Sequence, residues 1–216
     1  MPPCATVSVD SCPACGGTDS GEAFAKDSFT GRRCGSCGLV YVGTRVADVA
    51  EIYREDATSS TSEYYRHARE ADRKAFTRRL SLIEKYAPKG AILDIGCNVG
   101  TLLEVARERG WTETAGVEPN PNAAEEGRRN GIPVRTDVFS ARLFDDGARQ
   151  FDAVYFGDVI EHVPDPNGAI RDISAVLKPG GIVMIVTPNY DSLVARKLQV
   201  KPREHIVYFT RASMAN

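Results

Sequence analysis

The sequence predicts an α/β fold, a doubly wound parallel sheet covered by helices, with a small metal-stapled module in front of it. Three observations carry that expectation. From Ile92 to Thr187, short apolar runs alternate with helix-forming stretches, which is the order a parallel sheet demands. The first run, Ile92-Leu93-Asp94-Ile95, has the apolar character of a strand buried on both faces, and it breaks at a glycine-bearing turn, Gly96-Cys97-Asn98-Val99-Gly100. Ahead of it, four cysteines form two C-x2-C pairs with eighteen residues between them.

Bulk properties narrow the field. A chain of 216 residues can bury one core of moderate size plus an appendage. The formal net charge of -2 argues against a polyanion-binding protein. No run reaches the length of a membrane span, and Met1–Asp10 lacks a basic stretch followed by an apolar one. A cytoplasmic, reducing setting is therefore expected, where six cysteines point to metal or free thiols before disulfides.

The paired motifs are Cys12-x2-Cys15 and Cys34-x2-Cys37, each followed by glycine. Such turns bring two thiolates together, and two of them close a tetrahedral site that staples a segment too small for its own core. Structural zinc is the expectation, with rubredoxin-like iron as the alternative, because spacing alone does not choose the metal. Cys4 and Cys97 are left over. Leu39–Val42 reads as the last strand of this module, 1–45. Residues 46–90 read as a linker and helical lid, with a long helix over Glu63–Ala87 that stops at Pro88-Lys89-Gly90. One face of that helix is basic, through Arg66, Arg69, Arg73, Lys74, Arg78 and Arg79; His67 lies on the same helix. It is either an ordinary solvated face or a contact for an anionic substrate or RNA.

Residues 91–216 form the third region. At its glycine turn a ligand can approach the backbone closely, and the helix from Thr101 adds N–H groups that favour a carboxylate or phosphate. A second strand, Thr114–Val117, ends at Glu118, twenty residues past Asn98, where two carboxylate oxygens can accept both hydroxyls of a ribose. Pro119-Asn120-Pro121 starts the next helix. Val134–Thr136 is a short third strand, followed by Asp137-Val138. Phe151–Phe156 is the fourth, ending at Gly157-Asp158. Asn167–Leu177 is a helix, Lys178-Pro179-Gly180-Gly181 a turn and Ile182–Val186 the fifth strand. The acids and glycines fall at the carboxyl ends of strands, where such sheets bind ligands.

The pattern D-x-G-x-x-x-G of Asp94–Gly100, with GVEPN, TDV, FDAVYFGDVIEHVPDP and LKPGG in order, resembles the class I S-adenosylmethionine (SAM) methyltransferases. The resemblance implies a Rossmann-like fold. It also implies Asp94 and Gly96 near the methionine part of SAM, Glu118 on the ribose, and Asp137 with Val138 at the adenine. Tyr64 or Tyr65 would reach the SAM carboxylate, and Cys97, Gly100, Pro119, Gly157 and Asp158 complete the cofactor rim. With the cysteine pairs and the run from Glu204 to Phe209, the chain is similar to zinc-bearing sugar C-methyltransferases and related natural-product or cell-envelope enzymes. In the sugar enzymes a Tyr-x-Glu-His run supplies a base; here Glu204 and His205 are present and Pro202 stands at the tyrosine's place. The family's antiparallel strand pair after the fifth strand is missing from the 29 residues that follow Thr187, where Ile206–Phe209 supplies at most one strand. Either the sequence is a truncated one, or the edge of the fifth strand is covered by the cysteine module or by another chain, as in a homo-oligomer, since an uncovered apolar edge would tend to associate.

The implied reaction is methyl transfer from SAM to a small molecule, leaving S-adenosylhomocysteine. His162 ranks first as base and His205 second, with Glu204 as helper. Two other readings stay open: an RNA base methyltransferase gripping RNA through the zinc module, and a non-catalytic SAM-binding subunit.

Overall fold

The structure, a computed structural model, describes residues 5–55, 63–144 and 150–215; the side chains at 55 and 63–68 lie outside that description. In chain order the strands and helices are β1 (Thr6–Ser8), β2 (Ser20–Lys26), β3 (Phe29–Cys34), β4 (Val40–Val42), β5 (Thr44–Val46), α1 (Val49–Glu55), α2 (Glu63–Ile83), β6 (Ala91–Ile95), α3 (Thr101–Glu108), β7 (Glu113–Val117), α4 (Pro121–Arg129), β8 (Val134–Arg135), β9 (Phe151–Gly157), α5 (Pro166–Val176), β10 (Leu177–Val186), α6 (Leu193–Leu198), β11 (Val207–Tyr208) and α7 (Arg211–Ala215). Single 3-10 turns cover Ala141–Phe144 and Ile160–His162.

The chain divides into two compact units. One comprises Tyr53–Gly157 and Ile170–Ile185 and holds the five-stranded sheet, ordered β10-β9-β6-β7-β8. β6 runs parallel to both β7 and β9, and β7 parallel to β8. The order reverses beside β6, so the crevice at its carboxyl end is the switch point of the sheet. Every residue of β6 is buried, which is why its sequence is an almost unbroken apolar run. Local signals set the helix ends. α3 begins after Gly100 at φ +82° and buries Leu102, Leu103, Val105 and Ala106. α4 is capped by the Asn120 side chain, which accepts from the N–H groups of Asn122 and Ala123, and Pro121 pre-sets its first turn.

Leu80 and Ile83 of α2 are fully buried, and burial of side chains of this size stabilises by roughly 1.5–3 kcal/mol each. Among the described residues, most of the basic face of α2 is paired. Arg69 donates to both carboxylate oxygens of Glu104 at 2.8 and 2.7 Å. Arg73 pairs with Glu104 and Glu108, Lys74 with Glu70, and Arg79 donates to the Tyr155 hydroxyl.

The fifth strand departs from expectation. β10 already begins at Leu177, so Lys178–Gly181 is part of the strand and not a separate turn. Gly180 within this strand stands at φ +79°, a backbone conformation glycine adopts without a Cβ clash. Lys178 Nζ meets Asp152 Oδ2 at 2.8 Å.

The other unit comprises Met1–Ile52, Asp158–Ala169 and Val186–Asn216. It contains a β1-β5 pair and a four-stranded antiparallel sheet ordered β11-β4-β3-β2. The short strand expected near Ile206–Phe209 exists as β11, but its neighbour is β4 of the cysteine module, with Val207 opposite Tyr41 and Tyr208 opposite Val40. The reason is burial: β4 and β11 are buried throughout, and Val40, Val42, Tyr190, Val200 and Tyr208 form one core with Phe24 and Phe29 packed against it. Phe24 meets Tyr208 edge-to-face at 5.4 Å. The compact units therefore do not follow the divisions drawn at residues 45 and 90. The C-terminal segment joins the cysteine module because a small antiparallel sheet alone buries too little apolar surface.

Candidate functional site

Three clusters carry chemistry. The first lies at the carboxyl end of β6. Gly96 (φ +74°), Asn98 (φ +50°) and Gly100 form a turn of left-handed residues that only glycine and asparagine adopt cheaply. The N–H groups of Gly96 and Cys97 donate to the Val117 carbonyl at 2.8 and 3.1 Å, fastening the turn to the end of β7. Glu118 then ties three segments together. Its Oε2 accepts from Asn98 N–H at 2.9 Å and its Oε1 from Asn120 N–H at 2.8 Å. Cys97, placed on the cofactor rim by the resemblance, has a packing role. A Cβ added at Gly116 would stand 2.5 Å from its Sγ, so the thiol fills the space that glycine leaves.

Burial makes the two acids of this cluster reluctant to ionise. Asp94 is buried opposite Gly116 and Tyr155 in the register. Burial, then the charge of Glu118, hold the Asp94 carboxyl well above the usual range, with Arg79 opposing. Burial likewise raises Glu118, although the Asn120 and Asn98 N–H groups favour its ionised form. Two acids pushed towards neutrality at one rim would both ionise more readily beside a positive ligand. The Oδ1 of Asn98 is buried without a hydrogen-bond partner. An adenosyl sulfonium fits this donor set: its cationic centre answers the acids, and its hydroxyls suit acceptor oxygens.

The other expected cofactor residues are placed unevenly. Asp137 and Val138 follow β8 and are exposed; Asp137 Oδ1 accepts from Val138 N–H at 2.7 Å. Pro119 is half-buried between Glu118 and the cap of α4, and Gly157 ends β9. Asp158, at φ +56°, donates its N–H to the Val186 carbonyl at 2.7 Å and belongs to the other unit. Tyr64 and Tyr65 lie on α2 with side chains outside the described residues.

The second cluster is Glu161, His162 and His205, whose potential ligand atoms all lie within 4.8 Å of one another. The two imidazoles meet edge-to-face at 4.7 Å. His162 Nδ1 is 3.0 Å from the Glu204 carbonyl, which makes it the N–H donor and leaves Nε2 as the basic nitrogen. Glu204 thus supports His162 through its carbonyl. Burial keeps both imidazoles below their ordinary pKa; His205 is down to about 4, with His162 and Lys201 adding to the effect. Glu161, absent from the sequence-based candidates, is buried and accepts from Thr187 Oγ1 at 2.9 Å; burial raises it to about 7. A Glu-His dipeptide after a strand was visible in the sequence. Its burial was not.

The third cluster is the cysteine tetrad. Cys12, Cys15, Cys34 and Cys37 have their sulfurs within 4.8 Å of one another, and the pairs Cys12–Cys37 and Cys15–Cys34 stand at 3.5 Å. Tetrahedral Zn–S bonds of about 2.3 Å place sulfurs about 3.8 Å apart, so the tetrad fits such an ion. Gly16 and Gly38, both at left-handed φ, turn the chain around it, with Gly16 N–H to the Cys12 carbonyl and Gly38 N–H to the Cys34 carbonyl. Without an ion, burial and the neighbouring Cys15 and Cys12 push the Cys37 thiol up to about 12, while Cys34, against its burial, is brought down to about 6 by the backbone groups of Cys37 and Ser36, so four thiolates at once require a cation between them.

A parallel sheet with a glycine turn at its switch point and two buried acids beside it fits a nucleotide-cofactor α/β domain. The sequence profile described as "Methyltransferase domain" matches residues 65–216, and the chain belongs to that family, the class I SAM-dependent methyltransferases. Among curated relatives, the ubiquinone biosynthesis O-methyltransferase of Caulobacter vibrioides is 39% identical over 105 residues, covering 45% of this chain and 40% of the relative. The match therefore spans about two fifths of that relative's length. Among solved structures, a SAM-dependent methyltransferase from Archaeoglobus fulgidus superposes with a TM-score of 0.56 at 20% identity, covering 71% of each chain. The plantazolicin methyltransferase BpumL, solved in complex with SAH, gives 0.51 at 19% identity, covering 73% of this chain and 65% of the other. At these identities the structural matches speak for the fold. Among the described residues no helix is long and apolar enough to cross a membrane.

Proposed function

We propose that the protein transfers the methyl group of SAM to a small-molecule acceptor, a sugar, natural-product or cell-envelope intermediate. The observation that carries this reading is the buried pair Asp94 and Glu118 beneath the glycine turn, an acid pair suited to a cationic adenosyl ligand. The reaction is an in-line displacement: the methyl–sulfur bond breaks, a bond to the acceptor atom forms, and the electron pair of the old bond stays on sulfur. The cofactor supplies an activated methyl group, and the protein's work is to orient donor and acceptor and take any proton the acceptor loses. His162 leads as the proton-accepting group, because its Nδ1 is held and its Nε2 stays neutral; His205 is second.

The cysteine tetrad is assigned to structural zinc, since four sulfurs leave no open position for chemistry. The RNA reading loses support, because much of the basic face of α2 is spent on Glu104, Glu108 and Glu70. β10 is the natural edge for self-association. The test has two steps. Calorimetry on metal-loaded protein should detect SAM and its demethylated product. Methyl transfer from labelled SAM is then screened across hydroxylated small molecules and RNA. No heat with either cofactor form refutes the reading; binding without transfer to any acceptor favours a non-catalytic subunit, and transfer to RNA alone favours the RNA enzyme.

A further inference from the structure

We infer that Glu161, His162 and His205 form a second metal site, one for a divalent cation harder than the zinc of the tetrad, such as Mn²⁺. The three residues offer one carboxylate and two imidazoles with ligand atoms within 4.8 Å of one another, close enough to share one ion. The set is chemically unlike the cysteine tetrad. Imidazole and carboxylate accept harder cations that four thiolates do not retain, so the two sites separate by metal preference.

Outer contacts already hold the ligands as a metal would require. His162 Nδ1 faces the Glu204 carbonyl at 3.0 Å, which directs the Nε2 lone pair away from the backbone. Metal-bound histidines are commonly oriented by such a contact on the second ring nitrogen. Glu161 Oε2 accepts from Thr187 Oγ1 at 2.9 Å, and the Glu161 carbonyl accepts from Ile206 N–H at 2.9 Å, which fixes the turn carrying Glu161 and His162 against the segment carrying His205. His205 itself is anchored by its N–H to the Lys201 carbonyl at 2.8 Å.

The observation that points to a missing ligand is His205. Its residue is only 6% exposed, and its Nδ1 is buried with no hydrogen-bond partner. An unpaired imidazole nitrogen beside a buried carboxylate is costly unless something binds there. Asp158 lies within electrostatic reach of both Glu161 and His162, adding negative charge that favours a cation. Three protein ligands leave coordination positions open to water or to an acceptor oxygen. That last role rests on the methyltransferase reading; the metal site does not, and with an ion bound His162 Nε2 would serve as a ligand, so its base role applies to the chain without that ion.

The test uses the full chain with the cysteine site loaded with zinc. Mn²⁺ is titrated while the sharp signal of the free aqueous ion is followed by electron paramagnetic resonance. One Mn²⁺ per chain should be taken up, and Glu161→Gln and His205→Gln should each weaken uptake by at least about tenfold while retaining the zinc of the tetrad. Pulsed resonance of the wild-type Mn²⁺ form should show nitrogen coupling from imidazole, a readout that needs no variant to fold. No uptake beyond the tetrad, uptake without nitrogen coupling, or equal uptake by folded variants overturns the proposal. SAM calorimetry on the same samples reads the methyltransferase assignment separately.

Discussion

Replacing Glu118 by glutamine isolates what its second oxygen does. In the native chain one carboxylate oxygen accepts from Asn98 N–H and the other from Asn120 N–H, at 2.9 and 2.8 Å. An amide keeps the shape but offers one acceptor oxygen, so one of those N–H groups must face an NH2. A buried donor left unsatisfied costs about 1–3 kcal/mol. Removing a carboxylate that burial has made reluctant to ionise offsets part of that cost. The net loss should be about 1–2 kcal/mol, or a fall of about 3–6 °C in melting temperature for a chain of this size. Cofactor affinity should fall further. One charge-assisted hydrogen bond to a ribose hydroxyl contributes about 1.5–3 kcal/mol, or roughly 10–100-fold in Kd. Calorimetry with SAM and with its demethylated, uncharged product separates two roles. Equal losses for both locate Glu118 on the ribose; a loss confined to SAM locates it on the sulfonium. Dissociation constants within twofold of wild type for both ligands, in a variant whose melting temperature does fall, would refute the reasoning.

Asp94 and Glu118 have folded pKa values above their unfolded ones, so the folded chain holds extra protons. Their contribution is most favourable below the unfolded carboxylate values and is lost as pH rises through the folded values. Urea unfolding of ligand-free protein at pH 5 and pH 8 should therefore show a smaller pH-dependent loss in Asp94→Asn than in wild type; parallel losses would contradict it. Gly116→Ala should cost about 1–3 kcal/mol by overpacking against Cys97, and adding Cys97→Ala should recover part of it; additive losses would show that the thiol is not the obstacle. Cys34→Ser should lower zinc content and destabilise the chain by several kcal/mol, about a third or more of the roughly 10–16 kcal/mol that zinc supplies to small domains, and unchanged zinc by mass spectrometry would remove Cys34 from the site. RNA retention on the immobilised protein should be negligible at physiological salt, and retention lost on substituting Arg78 would restore a role for the basic helix.

Much of the site was readable because it is local. The turn Gly96–Gly100, the acid at Glu118 and the cap at Asn120 depend on residues within a few positions, where φ preferences and side-chain reach are properties of the residue type. The cysteine tetrad was readable for the same reason, since two short turns each place two sulfurs. Glu161 was not readable, because its burial depends on Thr187 and Ile206, far away in the chain. Nor was the occupation of the basic α2 face by Glu104 and Glu108, which requires α3 to lie alongside.

By itself the sequence determined the alternation of strands and helices, the glycine turn and the ligand-bearing pairs, because periodicity and backbone preference act over short distances. Tertiary structure alone decided that β11 joins β4, that Asp94 and Glu118 share one buried rim, and that two histidines 43 residues apart meet over a buried glutamate. Burial changes the charge state and the partner of a group, and burial is a property of the packed chain.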